Sequence, residues 1–115
     1  MNFGQDNQLI GGSYYQNNFS QEQNQEFTQQ FEAITLKMVA ALDSGEPIES
    51  EPMQQAVREH FEFCSRFWKP DRESYKALAL SFTLPTAYNE TYEGYRAGLG
   101  NFVYQAMVHF ADTQL

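Results

Sequence analysis

This chain has little cysteine, few basic residues and no long apolar run, and each shortage excludes a class of protein. Its single cysteine, Cys64, cannot form a disulfide bond within the chain. No basic stretch followed by an apolar run marks a signal peptide. No stretch approaches the roughly 18 consecutive apolar residues that span a bilayer. We therefore expect a soluble, cytoplasmic protein with no membrane partner.

The shortage of basic residues bears on the partners that the chain can bind. Seven Lys and Arg stand against 15 Asp and Glu, which gives a formal net charge of −8. A surface of that sign repels phosphate backbones at long range. We therefore expect no direct nucleic-acid binding by this chain.

Aromatic residues, in contrast, are abundant. Ten Phe, seven Tyr and one Trp make up 16% of the 115 residues. A chain of this length fits one domain with one core. Because aromatic side chains dominate the energetics of cores and interfaces alike, this excess requires an explanation.

The chain divides into an unpatterned start and a helical remainder. Residues 1–19 are rich in Asn, Gln and Gly without a helical or strand period, so we predict a flexible arm there and a single domain over 20–115. Ser20 and Gln23 form a capping box at the start of the first helix. Gly45 and Pro47 end that helix near residue 44.

Four further helices follow from the same signals. Ser50 caps the second helix, and Asp71 caps the third. The Leu84-Pro85 pair separates the third from a short fourth helix, and the last one begins near Gly98. No run alternates with period two for long enough to indicate a strand. The predicted fold class is all-α, with about five helices.

The segment from Leu78 to Met107 reads LALSFTLPTAYNETYEGYRAGLGNFVYQAM. It resembles the antibiotic-recognition domain of the TipAS family. In that family a Leu-x-x-Met-Tyr segment precedes Asp-x-Arg-Phe, a Tyr-Asp pair and a Pro-Gly-Leu-Ala sequence that opens the last helix. The corresponding positions here are Leu78, Phe82, Tyr88, Tyr92, Gly98 and Leu99. The turn over 42–47 and the helix over 60–70 also resemble the family, so the likeness covers roughly residues 22–115.

The resemblance implies a compact globin-like bundle that binds large apolar antibiotics such as thiopeptides and other macrocyclic peptides. Such domains form the effector half of MerR-type activators or stand alone, which implies a possible DNA-binding domain in the full-length protein. The family also implies that residues up to about Gly45 act as a lid. Three positions depart from the family pattern. Pro85 replaces an Asp, Ala97 replaces a Pro, and Ala77 stands where some members carry an antibiotic-trapping cysteine.

The candidate ligand-binding residues are large side chains near the two helix breaks, where loops on a rigid scaffold commonly form pockets. They are Phe61, Trp68, Tyr75, Leu78, Phe82, Tyr88, Tyr92 and Tyr95. Core packing is the alternative explanation for any one of them. Tyr92 and Tyr95 are the strongest candidates, because a tyrosine combines an apolar body with a hydroxyl that prefers a wet edge.

Other functions have weaker support in the sequence. His60 and Cys64 lie four residues apart on a helix, but two ligands do not make a metal site, and a buried core pair is the simpler explanation. No nucleophile beside a base, carboxylate pair or phosphate loop is recognisable, so we expect neither an enzyme nor a cofactor. The alternative to antibiotic binding is a protein-interaction domain whose apolar groove accepts an amphipathic helix from a partner.

Overall fold

A computed structural model describes residues 20–115, which fold into five helices and contain no strand. These are α1 (Gln21–Asp43), α2 (Glu51–Cys64), α3 (Arg72–Ser81), α4 (Ala87–Tyr95) and α5 (Leu99–Gln114). The all-α prediction and the helix count are confirmed, whereas the globin-like arrangement of the helices stays a prediction. The arm predicted at 1–19 lies outside the described residues.

Local sequence signals set the helix ends. The Ser20 hydroxyl accepts the Gln23 N–H at 3.1 Å, and the Gln23 side chain accepts the Ser20 N–H at 2.9 Å, which completes the predicted capping box. Side chains of Ser50 and Asp71 cap α2 and α3 in the predicted places. Gly45, with φ of 73°, ends the turn after α1 in the left-handed conformation that suits glycine.

The last helix is the centre of the domain, because α5 packs against each of the other four helices. Its inward face is fully buried and consists of Leu99, Gly100, Val103, Ala106, Met107, Phe110 and Ala111. Buried side chains from the other helices surround it, including Met38 of α1, Met53 of α2 and Tyr75 of α3. Since burial of apolar area is the dominant favourable term in folding, this layer around α5 holds the fold together.

Burial divides α1 into two halves. Its second half contributes Ile34, Thr35, Met38 and Ala41 to the core. No residue from 21 to 33 is fully buried, and Phe27 and Phe31 are half-buried. The lid inferred up to Gly45 therefore fits only the first half of α1, because the second half is built into the core.

Ion pairs on the surface join the helices. Lys37 of α1 bonds Glu59 of α2 at 2.9 Å, and Arg96 after α4 bonds Asp43 of α1 at 2.6 Å. Each pair is open to solvent on at least one side, so each contributes little to stability. Within residues 20–115, no helix combines the length and the apolar character needed to cross a membrane.

Candidate functional site

Three tyrosines of α4 form a strip that runs from the core to the surface. We call Tyr88, Tyr92 and Tyr95 the tyrosine face. With about 100° per residue in a helix, Tyr88 and Tyr95 lie about 40° and 60° round the axis from Tyr92, on the same side. Tyr92 is 1% exposed, whereas Tyr88 is 54% and Tyr95 is 37% exposed. The predicted helix does align the three rings, but only the central one is buried.

Tyr92 lies between two phenylalanines from other parts of the fold. Its ring centroid is 4.6 Å from that of Phe82, which caps the end of α3, and 5.9 Å from that of Phe31 on α1. Phe82 also contacts Tyr88 edge-on at 5.9 Å. Three helices therefore meet through aromatic rings at this position, and offset or edge contacts of this kind are favourable beyond the area they bury.

The aromatic contacts continue from Phe31 along the joint between α1 and α2. Phe31 lies 6.1 Å from Phe63, Phe63 lies 5.2 Å from Phe67, and Phe67 lies 4.9 Å from Phe27. We call Phe27, Phe31, Phe63 and Phe67 the phenylalanine row. All four are half-buried, so this row presents apolar ring surface at the edge of the molecule.

A polar junction fixes α4 against the start of α5. The Glu93 carboxylate accepts the N–H groups of Gly98 and Gly100, each at 2.9 Å, and thereby caps a helix that has no capping side chain of its own. These bonds hold the pKa of Glu93 below its usual range. The Asn89 amide donates to the carbonyl of Phe82 at 2.7 Å. Residues on either side of Tyr92 therefore fix its position against α3 and α5.

A buried network of hydrogen bonds lies next to Phe82, whose ring centroid is 6.3 Å from that of His60. His60 Nδ1 is 2.8 Å from the Tyr75 hydroxyl, and His60 Nε2 is 3.7 Å from Cys64 Sγ. The Tyr75 hydroxyl donates to the Val57 carbonyl at 3.4 Å. One arrangement of protons satisfies all of them: Cys64 S–H donates to Nε2, and Nδ1–H donates to the Tyr75 oxygen. These hydrogen bonds explain why the fold tolerates a histidine that is only 4% exposed.

Burial keeps these groups uncharged. It lowers the pKa of His60 from 6.5 to about 4 and raises the pKa of Cys64 from 9.0 to about 12. Burial also raises the pKa values of Tyr75 and Tyr92 well above their usual range. A neutral thiol next to a neutral imidazole lacks the thiolate that nucleophilic catalysis requires. Among residues 20–115, no group of three or more His, Cys, Asp or Glu is arranged to hold a metal ion.

The structure brings together some of the predicted residues and separates others. Phe82, Tyr88 and Tyr92 form one group of contacting rings. Tyr75 is fully buried, and half-buried Phe61 packs edge-on against it at 5.3 Å. Leu78 is half-buried against the core. Trp68, 39% exposed, follows the end of α2 and shares no ring contact with the other predicted residues in the described part of the chain.

Only some members of the phenylalanine row could be predicted from the sequence. Phe27 and Phe31 recur at helical spacing with Ile34 and Met38, and Phe67 follows Cys64 at a spacing of three, so the sequence pattern predicts core positions for all three phenylalanines. Phe63 was missed because it lies beside the apolar stripe of α2 rather than on it. The spacing of four between Phe63 and Phe67 is the one signal that could have found the pair, because such residues are neighbours on a helix.

An open groove of about 440 Å³ runs between α1 and α2 away from these rings. It contains none of the predicted ligand-binding residues. Its lining is mostly small or polar: Lys37, Ala40, Ala41, Ser44, Glu46, Pro52, Gln55, Ala56 and Glu59. The groove therefore lacks the aromatic surface that the predicted function requires.

Comparison with models of protein families identifies a match. The family model of the TipAS antibiotic-recognition domain matches residues 2–110. This match begins at residue 2, whereas the resemblance in the sequence was predicted to begin at about residue 22. The matched range contains α1 to α4 and all of α5 except its last few residues. No curated protein and no solved structure matches the chain. The match spans nearly the whole sequence, and the chain therefore belongs to the TipAS antibiotic-recognition domain family.

Proposed function

We propose that this domain binds large apolar antibiotics of the macrocyclic peptide class, thiopeptides among them, reversibly and without chemical change. The observation that carries the proposal is the tyrosine face, where exposed Tyr88 and Tyr95 flank a buried Tyr92 that three helices hold in place. The family to which the chain belongs is described as an antibiotic-recognition domain. The exposed rings of the tyrosine face offer apolar surface on which such a ligand could stack.

The chemistry of the surface supports this ligand class. Flat azole rings and apolar macrocycles stack on exposed aromatic side chains, and tyrosine hydroxyls supply hydrogen bonds at the wet edge of such a site. Three of the seven basic residues, Lys37, Lys76 and Arg96, are already paired with carboxylates. Two more, Arg58 and Arg66, lie over the rings of Phe110 and Phe27. Few cations are left to attract an anionic ligand or a nucleic acid.

We further propose that the domain is a binding module rather than an enzyme and needs no cofactor. The buried pair of His60 and Cys64 is neutral, which supports a structural role for both. In the cell the domain would act in the cytoplasm, either sequestering the drug or signalling its presence to an attached DNA-binding domain. These two roles share the same binding site and therefore the same test.

The alternative is a docking site for an amphipathic helix of a partner protein. Such a site needs an open groove lined by methionine and phenylalanine. Met38, Met53 and Met107 have no exposed surface, and the groove between α1 and α2 is lined by small and polar residues. Neither the methionines nor this groove therefore supplies such a lining, and the panel titration described next separates the two functions.

Titration of the domain with a panel of thiopeptides and other macrocyclic peptides, followed by calorimetry, tests the proposal. Tyr88→Ala and Tyr95→Ala should each weaken binding by about 1 to 3 kcal/mol, because each removes an exposed ring from the site. Their stability should change by less than about 1 kcal/mol, since neither ring is buried. Leu36→Ala is the matched control, because Leu36 is 50% exposed but lies on α1 outside the tyrosine face. Equal losses in the control and the tyrosine variants, or no binding by any macrocycle, would refute the proposal.

A further inference from the structure

The Tyr92 hydroxyl is buried without a hydrogen-bond partner. Among the buried side-chain nitrogen and oxygen atoms of residues 20–115, it alone lacks one. The other fully buried tyrosine, Tyr75, shows the usual solution, because its hydroxyl lies 2.8 Å from His60 Nδ1. Buried polar groups are nearly always paired, so an unpaired hydroxyl at 1% exposure needs an explanation.

Packing alone does not explain a tyrosine here. A phenylalanine would make the same ring contacts with Phe31 and Phe82 without burying a hydroxyl. Because an unsatisfied buried hydroxyl costs free energy in the unliganded fold, the phenol oxygen is a liability unless something else bonds to it. An unpaired buried group of this kind requires an explanation, and in a binding domain a ligand can supply the missing partner.

We propose that the Tyr92 hydroxyl is the polar recognition point of the antibiotic site and donates a hydrogen bond to an acceptor on the bound ligand. The acceptor belongs to a class that macrocyclic peptides carry in quantity, a peptide carbonyl oxygen or an azole ring nitrogen. This inference rests on the proposed antibiotic binding and adds to it the atom that selects among ligands.

The donor role follows from the protonation of the phenol. Burial raises the pKa of Tyr92, so its hydroxyl keeps its proton throughout the neutral and mildly alkaline range. The exposed hydroxyls of Tyr88 and Tyr95 are solvated by water and gain less from a ligand acceptor. Of the three tyrosines of α4, Tyr92 alone has a buried hydroxyl without a partner that the ligand can pair.

Access to the hydroxyl requires a neighbouring side chain to move. Phe82 is 1% exposed and belongs to the core, whereas Phe31 is half-buried in the half of α1 that has no fully buried residue. Displacement of the Phe31 ring is therefore the smaller change. The ligand would take over the stacking contact that Phe31 makes with Tyr92 and add the hydrogen bond that Phe31 cannot make.

The hydroxyl also makes the site selective. A ligand that brings an acceptor satisfies it, whereas an equally apolar ligand without one leaves it unpaired. Discrimination through a buried polar group is stronger than discrimination through apolar area alone.

Tyr92→Phe is the direct test, because it deletes the hydroxyl and keeps the ring. We expect the urea midpoint to stay unchanged or to rise, and the affinity for a thiopeptide macrocycle, measured by calorimetry, to fall roughly ten- to hundredfold. Tyr75→Phe is the matched control. Its hydroxyl is paired in the free protein, so this variant should lower the urea midpoint, whereas Tyr92→Phe should not.

Three outcomes would overturn the inference. If Tyr92→Phe binds the macrocycle as tightly as the wild type, the hydroxyl makes no bond to the ligand, although antibiotic binding itself stands. If Tyr92→Phe lowers the midpoint as far as Tyr75→Phe does, the hydroxyl is paired in the free protein and the premise is wrong. If the wild type binds no macrocycle of the panel, the inference fails together with the proposed function.

Discussion

His60, Cys64 and Tyr75 show how the surroundings of a residue decide its chemistry in this domain. By type and spacing, a histidine and a cysteine four residues apart could form a metal site or a nucleophilic pair. Within the core, they are two members of a hydrogen-bonded chain that ends on the Val57 carbonyl. Their neutrality in the folded state makes the stability of the domain depend on pH.

His60 should destabilise the domain as the pH falls from about 6.5 to about 4. Its folded pKa, about 4, lies below the ordinary value of 6.5, so the unfolded chain binds more protons in that interval. The contribution of neutral His60 to the free energy of unfolding is therefore complete above pH 6.5 and is lost as the pH falls towards 4. The total loss is up to about 3 kcal/mol. Urea unfolding at a series of pH values measures the slope for the wild type and for His60→Gln.

The slope of His60→Gln should be smaller than that of the wild type by up to about one proton between pH 4 and 6.5. The absolute stability of the variant does not matter for this comparison, because only the change with pH is compared. Identical slopes would show that His60 titrates alike in the folded and unfolded chain, against the burial that the structure gives it.

At the scale of the elements, the junction of α3, α4 and α5 determines where the tyrosine face lies. Gly100 is the point of closest approach. A Cβ atom placed on it would lie 2.5 Å from the carbonyl oxygen of Phe82 and 3.1 Å from a carboxylate oxygen of Glu93. Only glycine lets the start of α5 approach the end of α3 this closely.

Gly100→Ala should therefore destabilise the domain by about 1 to 3 kcal/mol, because a backbone carbonyl has to move to make room. Gly94→Ala is the matched control in α4. A Cβ atom on Gly94 meets nothing within 4 Å, so this variant should gain about 0.4 to 1 kcal/mol from the lower entropy of its unfolded state. Chemical denaturation measures both. A stable Gly100→Ala variant would mean that the close packing of α3 on α5 is wrong.

At the scale of the whole molecule, the domain consists of a core around α5 and a less buried first half of α1. The second half of α1 is held by Ile34, Met38 and Ala41 in that core. The first half carries two members of the phenylalanine row and no fully buried side chain. Because most helical stability in proteins comes from packing an apolar face, the two halves should differ in how often they open.

Amide hydrogen exchange in the free domain should show a step within α1. We expect residues 34–42 to be protected nearly as strongly as 99–110, and residues 21–33 to exchange faster. A bound macrocycle should slow exchange in the first half most, because Phe31 lies against Tyr92 in the proposed site. Uniform protection along α1 without ligand would place the entire helix in the permanent core and end the lid hypothesis.

Local signals predicted the helices well because they act over a few residues. Ser20, Ser50 and Asp71 cap helices in the predicted places, and the Leu84-Pro85 pair separates α3 from α4. The candidate site was less predictable. Tyr88, Tyr92 and Tyr95 have the same chemistry in the sequence, and which of them is buried depends on where α1 and α3 pack against α4.

The sequence alone therefore determined the fold class, the starts of the helices, the family and the residue types from which a site could be built. Capping, helix breaking and apolar periodicity depend on neighbours within about one or two turns, which a sequence displays directly. The tertiary structure alone decided that Phe82 and Phe31 enclose Tyr92, that Tyr75 and not Tyr92 finds a partner in His60, and that Trp68 lies apart. Those relations join residues 10 to 61 positions apart in the chain, and contacts between different helices leave no periodic trace in the sequence.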